Sequence, residues 1–180
     1  FAGNAKVVVD NSTWTTGAYT AVGSYGDYMY GNADVTLQNK SKLSAGRFDI
    51  ENNGSYTVKV AVNDAELEAT VRITLDANTS LALNSGAVAN TVELTNNGSI
   101  TMDATSSITM AGFSGNAITI DATGFEGINK VIDLNAAESL KGKIDVTGLE
   151  EGISVAYGKD GDVLVTDADV ATLHVSSDYT

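Results

Sequence analysis

The chain contains no cysteine, no proline and a single histidine, and its 10 lysines and arginines are outnumbered by 23 aspartates and glutamates. Without cysteine there is no disulfide framework and no thiol nucleophile, so hydrophobic stacking alone must hold the fold. One histidine leaves a Ser-His-Asp apparatus resting on His174, which alternates within Val170–Val175 like an outward strand residue. Zinc sites built from clustered His and Cys are excluded. The missing proline is the most informative absence. In a long parallel β stack nearly every strand is paired on both sides, and a residue without an N–H breaks a ladder bond. Apolar runs stop at three or four residues, as at Val7-Val8-Val9, so no transmembrane helix is encoded and no membrane insertion by this segment is expected. The net charge of −13 repels nucleic acid and anionic membrane surfaces alike, and both drop out as partners. The chain opens at Phe1 with no initiator Met and no charged, then apolar, leader, which reads as a processed mature chain or an excerpt.

The 180 residues suit one domain or a short run of stacked units. Hydrophobic residues make up 43%, enough for a real core, while charged residues make up only 18%. Polarity comes from Asn, Thr, Ser and 18 Gly, which serve turns and short hydrogen-bonding ladders.

Period-2 alternation recurs along the chain and a helical period almost nowhere. Leu67, Ala69, Val71, Ile73 and Leu75 share one face, opposite Glu68, Thr70, Arg72, Thr74 and Asp76. Tyr56, Val58, Val60 and Val62 alternate with polar or small residues, and the turn signal Asn63-Asp64 between the two runs suggests an antiparallel hairpin. The one helix-compatible stretch, Asn135–Leu140, is short and reads as a loop crossing.

A repeated phrase says more: turn residues, then Ser-apolar-Thr-apolar. It appears as NNGSYTV from Asn52, DANTSLAL from Asp76, NNGSITM from Asn96, TSSITM from Thr105 and GNAITI from Gly115. Taking Ser55, Ser80, Ser99 and Ala117 as equivalent gives steps of 25, 19 and 18 residues, with Ser107 starting a strand on another face. Such steps fit one turn of a right-handed parallel β-helix, each coil adding about 4.8 Å. Asn and Gly fall at corners needing positive φ, where stacked Asn side chains can form amide ladders. The fold expected is therefore all-β: a right-handed parallel β-helix or β-solenoid with hairpin-like caps, the alternative being a β-sandwich with similar turn spacing. Residues 1–76 read as an N-terminal β region or cap, 77–148 as solenoid repeats and 149–180 as a capping hairpin around Asp160-Gly161, in one continuous unit.

The phrases NNGSITM, TSSITM and GNAITI resemble the passenger regions of bacterial autotransporter adhesins, as do Ile118 to Leu134 (IDATGFEGINKVIDL) and Val146 to Val165 (VTGLEEGISVAYGKDGDVLV). The resemblance covers residues 77–166. It implies a β-helical passenger exported to the bacterial cell surface; the family's membrane barrel is not among these residues, which makes the chain an excerpt or a cleaved passenger.

No catalytic residues are assigned. A glycan-lytic β-helix would need an Arg or Lys base, and of Arg47 and Arg72 the second already has a place on the polar face of a strand. Asp103, Asp121, Asp133 and Asp145 each sit beside an apolar triplet, as corner residues would. Asp160 and Asp162 have the i, i+2 spacing that begins a calcium cage, so calcium is the one candidate ion and no other cofactor is expected. Asp167 and Asp169 share that spacing. Trp14, Tyr19, Tyr25 and Tyr28, with Tyr30, crowd an aromatic, Gly-rich stretch that could stack on a glycan or cover the end of the stack. Sequons at Asn11, Asn39, Asn53, Asn78 and Asn97 are expected by chance in so Asn-, Ser- and Thr-rich a chain. The expected function is a non-catalytic, extracellular adhesin or stalk segment whose partner is a host surface glycan or protein, or neighbouring copies of itself. The alternatives are a self-assembling extracellular fibre or sheath subunit and a glycan-active β-helix enzyme.

Overall fold

A computed structural model describes residues 4–23, 31–52, 54–116, 118–121, 123, 130–133, 143–147, 153–157, 162–165 and 172–176; from residue 130 onward it gives the course and pairing of the strands. The Asn135–Leu140 stretch lies outside the described residues. Among them there is no helix.

Six strands stack in parallel along one side: β1 (Ala5–Asp10), β4 (Ala33–Gln38), β6 (Val58–Asn63), β8 (Thr79–Asn84), β10 (Ser99–Asp103) and β13 (Ile118–Asp121). Along the other lie β2 (Thr13–Thr15) and β3 (Tyr19–Gly23), both on β5 (Lys42–Glu51), then β7 (Glu66–Leu75), β9 (Val88–Asn96), and β11 (Ser107–Thr109) with β12 (Gly112–Gly115). Strand and return strand alternate along the chain, so each coil contributes one strand to the first sheet and one long or two short strands to the second. The chain is a right-handed parallel β-helix.

Val7, Val35, Val60, Leu81, Ile100, Ile118 and Ile144 occupy one register row, which makes successive coils 28, 25, 21, 19, 18 and 26 residues long. Ser80 does pair with Ser99, but its partner below is Lys59, so the expected equivalence of Ser55 was four residues out. The expected antiparallel hairpin at Asn63-Asp64 is likewise corrected. β6 pairs with β4 and β8, β7 pairs with β5 and β9, and Asp64 (φ 50°) turns a coil corner. Period-2 alternation identifies a strand without naming its partner, and here each strand's partners lie a coil away.

The second sheet bends. Register shifts between Ala45 and Arg47 and between Ala69 and Arg72 fall where β2 gives way to β3 and β11 to β12. The cross-section is therefore three-sided. Val71, expected on the inward face, lies at this bend and is exposed, while Leu67, Ala69, Ile73 and Leu75 on either side of it are buried. Gly46 sits there because a Cβ would come within 2.5 Å of the Ala18 carbonyl oxygen.

The inward rows form the core: Val35, Val60, Leu81, Ile100 and Ile118 in one, Leu37, Val62, Leu83 and Met102 beside it, and Phe48, Ile73, Leu94 and Phe113 facing them. The corner after the first sheet turns through left-handed residues in successive coils, at Asn11, Asn39 with Lys40, Asp64, and Ser85 with Gly86. Above the turns, Asn84 Nδ2 donates to Asn63 Oδ1 at 3.0 Å, one rung of the expected amide ladder.

Beyond the parallel coils, β14 (Lys130–Asp133) pairs in parallel with β16 (Ile153–Tyr157), and β15 (Lys143–Thr147) with β13. Then the direction reverses. β17 (Asp162–Val165) pairs antiparallel with β16, and β18 (Thr172–Ser176) antiparallel with β15. Of the acids expected at corners, Asp103, Asp121 and Asp133 end strands, but Asp145 lies mid-strand in β15, opposite His174 in register.

Replacing Ile118 by Asp should abolish cooperative unfolding, since it buries a carboxylate with no partner at a position only 1% exposed. Val7→Asp in the first rung of the same row, 39% exposed, should lower the melting temperature only slightly. Equal losses in thermal melts would contradict the continuous row.

Candidate functional site

Outward positions just past the bend carry the chain's only two arginines on adjacent coils. Tyr19, Arg47, Arg72, Glu93 and Gly112 share one row, and Ala21, Asp49, Thr74, Thr95 and Ser114 the next. The 25-residue spacing of Arg47 and Arg72 is one coil step at this level, which is the signal in the sequence that could have paired them.

The row is held by polar contacts. Arg72 Nη2 donates to Asp49 Oδ2 at 2.9 Å, and the Asp49 side chain is only 4% exposed although it points outward. The other carboxylate oxygen, Oδ1, is buried and accepts no hydrogen bond among the described residues. The bond from Asp49 raises the pKa of Arg72, with smaller help from its charge and from Tyr19 and Glu51, against a loss from burial. Tyr19 stands opposite Arg47 and donates its hydroxyl to Glu51 Oε1 at 2.6 Å. Because Glu51 is four residues further along β5, the phenol side chain runs along the sheet past Asp49. Arg47 is exposed and makes no ion pair among the described residues. The arrangement is a pinned aromatic side chain beside one free and one anchored guanidinium, with Glu51 and Glu93 as acceptors.

The aromatic residues singled out in the sequence do not form one surface. Trp14 is half-buried in an inward row, opposite Leu43, and packs on the core at the end of the stack. Tyr19 faces out, and Tyr25, Tyr28 and Tyr30 lie outside the described residues. Asp160, Asp167 and Asp169 also lie outside them, while Asp162 begins β17 opposite Tyr157 in register.

The acids at the corner are occupied as caps. Asp103 accepts from the Thr105 amide (3.0 Å) and hydroxyl (2.7 Å), the Ser106 hydroxyl (2.8 Å) and the Ser85 amide of the coil below. Burial pushes its carboxyl up, but these bonds together outweigh burial and hold it below the ordinary carboxylate value. Asp121, its register partner, is lowered by the Thr123 hydroxyl and amide against burial and the Asp103 charge. Among the described residues no group of three or more metal-binding side chains converges. Elsewhere on the outer face, Lys42 joins Glu66 (2.9 Å) and Glu68 (2.8 Å) in a half-buried ladder across coils.

With this geometry in view, the chain is a β-solenoid with a charge-ordered side. No known protein family, curated protein or solved structure matches it.

Arg72→Ala should cost about 1–3 kcal/mol in urea unfolding, because it strands a buried carboxylate; water at the half-exposed guanidinium keeps the loss below that of a fully buried pair. Arg47→Ala should be near neutral, and Asp49→Ala should recover part of the loss when added to Arg72→Ala. Equal costs for the two arginines would dissolve the distinction between them.

Carboxyls with lowered folded pKa values contribute stability above their unfolded pKa of about 4, and lose it as pH falls through the folded value. Melting temperature should therefore fall below about pH 4, and fall less in Asp103→Asn. An acid limb identical to the wild type's would place the sensitive groups elsewhere.

Proposed function

We propose that this chain is a non-catalytic segment of a bacterial cell-surface adhesin, a stiff β-helical stalk presenting a recognition face on its side. The observation that carries the reading is the in-register stack itself. The strands of successive coils stay in register from β1 to β15, and the side chains facing inward as far as Ile118 are consumed by packing. Such a body resists bending and offers outer rows of side chains in register, which suits holding a contact away from a surface. The resemblance of residues 77–166 to autotransporter passengers points the same way.

Recognition falls to the row of Tyr19, Arg47 and Arg72. A ring whose hydroxyl is tied to Glu51 loses little freedom on stacking against a sugar, and Arg47 offers five N–H donors to ring hydroxyls. The ligand expected is a host surface glycan, in keeping with extracellular placement.

Binding of the full chain to a glycan array or to cultured host cells tests this reading. Tyr19→Ala combined with Arg47→Ala should lower retention at least about tenfold and leave the melting transition in place. Retention equal to wild type would remove the site. Release of reducing ends or unsaturated sugars from a polysaccharide would instead make the protein an enzyme.

A further inference from the structure

Three cations on the outer face are each matched to an acid one coil away. Lys40 pairs with Asp64, Lys42 with Glu66 and Glu68, and Arg72 with Asp49. Lys6 and Lys59 at least face an acid, Asp34, in register. Arg47 faces none. Its register partners are Tyr19 on β3 and a second arginine, Arg72, on β7, and it makes no ion pair among the described residues. Both arginines lie on strands paired along both edges, so neighbours on either side fix their outward placement.

The acids around Arg47 are either engaged or distant. Asp49, two residues along β5, is nearly sealed from water and receives Arg72 Nη2 at 2.9 Å. That bond keeps the one nearby carboxylate from closing on Arg47 itself. Glu51 lies further along the same strand, about 13 Å from Arg47 by backbone rise, and takes the Tyr19 hydroxyl. Glu93 stands two strands over, about 10 Å away, and its carboxylate leans the other way. A Cβ on Gly112 would come within 2.3 Å of Glu93 Oε2. At physiological salt, charges more than about 8 Å apart are largely screened. Two like charges facing each other across adjacent strands cost stability, and here only one of the two is answered from within the chain.

We propose, resting on the glycan reading above, that the ligand supplies the missing anion: the site takes an acidic sugar, its carboxylate on the Arg47 guanidinium and its ring against Tyr19. A guanidinium presents its N–H groups in a planar fork that fits the two oxygens of a carboxylate. The resulting charge-assisted bonds are shorter and stronger than those to a neutral hydroxyl.

The full chain is the sample, on an array of host-type glycans in matched sets. Each neutral chain stands beside its sialylated, glucuronate-capped and sulfated forms and the methyl ester of each carboxylate. Retention of a sialylated or glucuronate-capped form should exceed that of its neutral parent at least about tenfold, and esterification should abolish the difference. Arg47→Gln should bring the acidic form down to the level of the neutral one. Arg47→Lys, which keeps the charge without the fork, should recover only part. Lys59→Gln removes the same charge from the other sheet and should leave retention as it is. Neutral glycans held as well as acidic ones overturn the proposal and leave the glycan reading in place, whereas no glycan held at all overturns both. A preference for sulfated forms, equal retention of poly-glutamate, or equal losses in Arg47→Gln and Lys59→Gln would also overturn it. Circular dichroism melts on every variant separate loss of contact from loss of fold.

Discussion

A single coil of this chain has no inside. Three short runs of backbone enclose one layer of side chains, and that layer is sealed only by the layers above and below it. Everything else follows from this dependence. The rows must align, so each coil must bring its apolar residues back to the same azimuth whatever its length. The coils vary from 28 to 18 residues between Val7 and Ile118 without any slip in the row. Between the 25- and 21-residue coils the difference lies in the corners, where length costs little: residues 52–57 separate β5 from β6, and only 76–78 separate β7 from β8.

The corners are consequently where sequence is most constrained by backbone rather than by packing. Left-handed residues recur after β1, β4, β6 and β8, filled by Asn, Asp, Lys, Ser or Gly as the coil allows. At the corner closing the fifth coil only glycine fits: Gly115 has φ of 108°, and a Cβ there would fall 2.1 Å from the Asn96 carbonyl oxygen. Polar side chains then finish what the turns leave open. The Ser41 hydroxyl, 1% exposed as a residue, donates to the Val9 carbonyl of the coil below at 2.8 Å, and Thr57 N–H is received by Asn32 Oδ1 at 2.8 Å. Short hydroxyls and amides, which looked in the composition like a substitute for charge, are in large part coil-to-coil fasteners.

This explains which parts of the structure were legible in the sequence. Strand identity was, because alternation reports a two-faced environment directly. Solenoid topology was, because the phrases around Ser80 and Ser99 and Ile100 and Ile118 stand a coil apart. The first coils escaped because they are longer and their corners less alike, so Lys59 and not Ser55 lies under Ser80. Val71 was misplaced because a bend adds outward residues between two inward ones, and no local pattern marks it until neighbouring coils are aligned. The arginine row was hidden for the same reason. Arg47 and Arg72 follow the bend on consecutive coils, and they become neighbours only once the register is known. Nothing in the local sequence around either arginine says that Asp49, an outward residue, is nearly sealed from water.

The same geometry sorts the molecule's surfaces by what they can do. Inward positions are committed to packing, and most outward positions carry short polar groups that answer one another between coils. The bend departs from that pattern. There Tyr19, Arg47 and Arg72 stand in one outward row, long side chains beside a row that carries Thr74, Thr95 and Ser114. Beyond β15 the pairing changes in kind, because β17 and β18 run antiparallel to their partners. A stack built this way commits its inside to packing, and the bend is where its outer rows differ most from one another, because there the alternation that sorts inward from outward residues is interrupted.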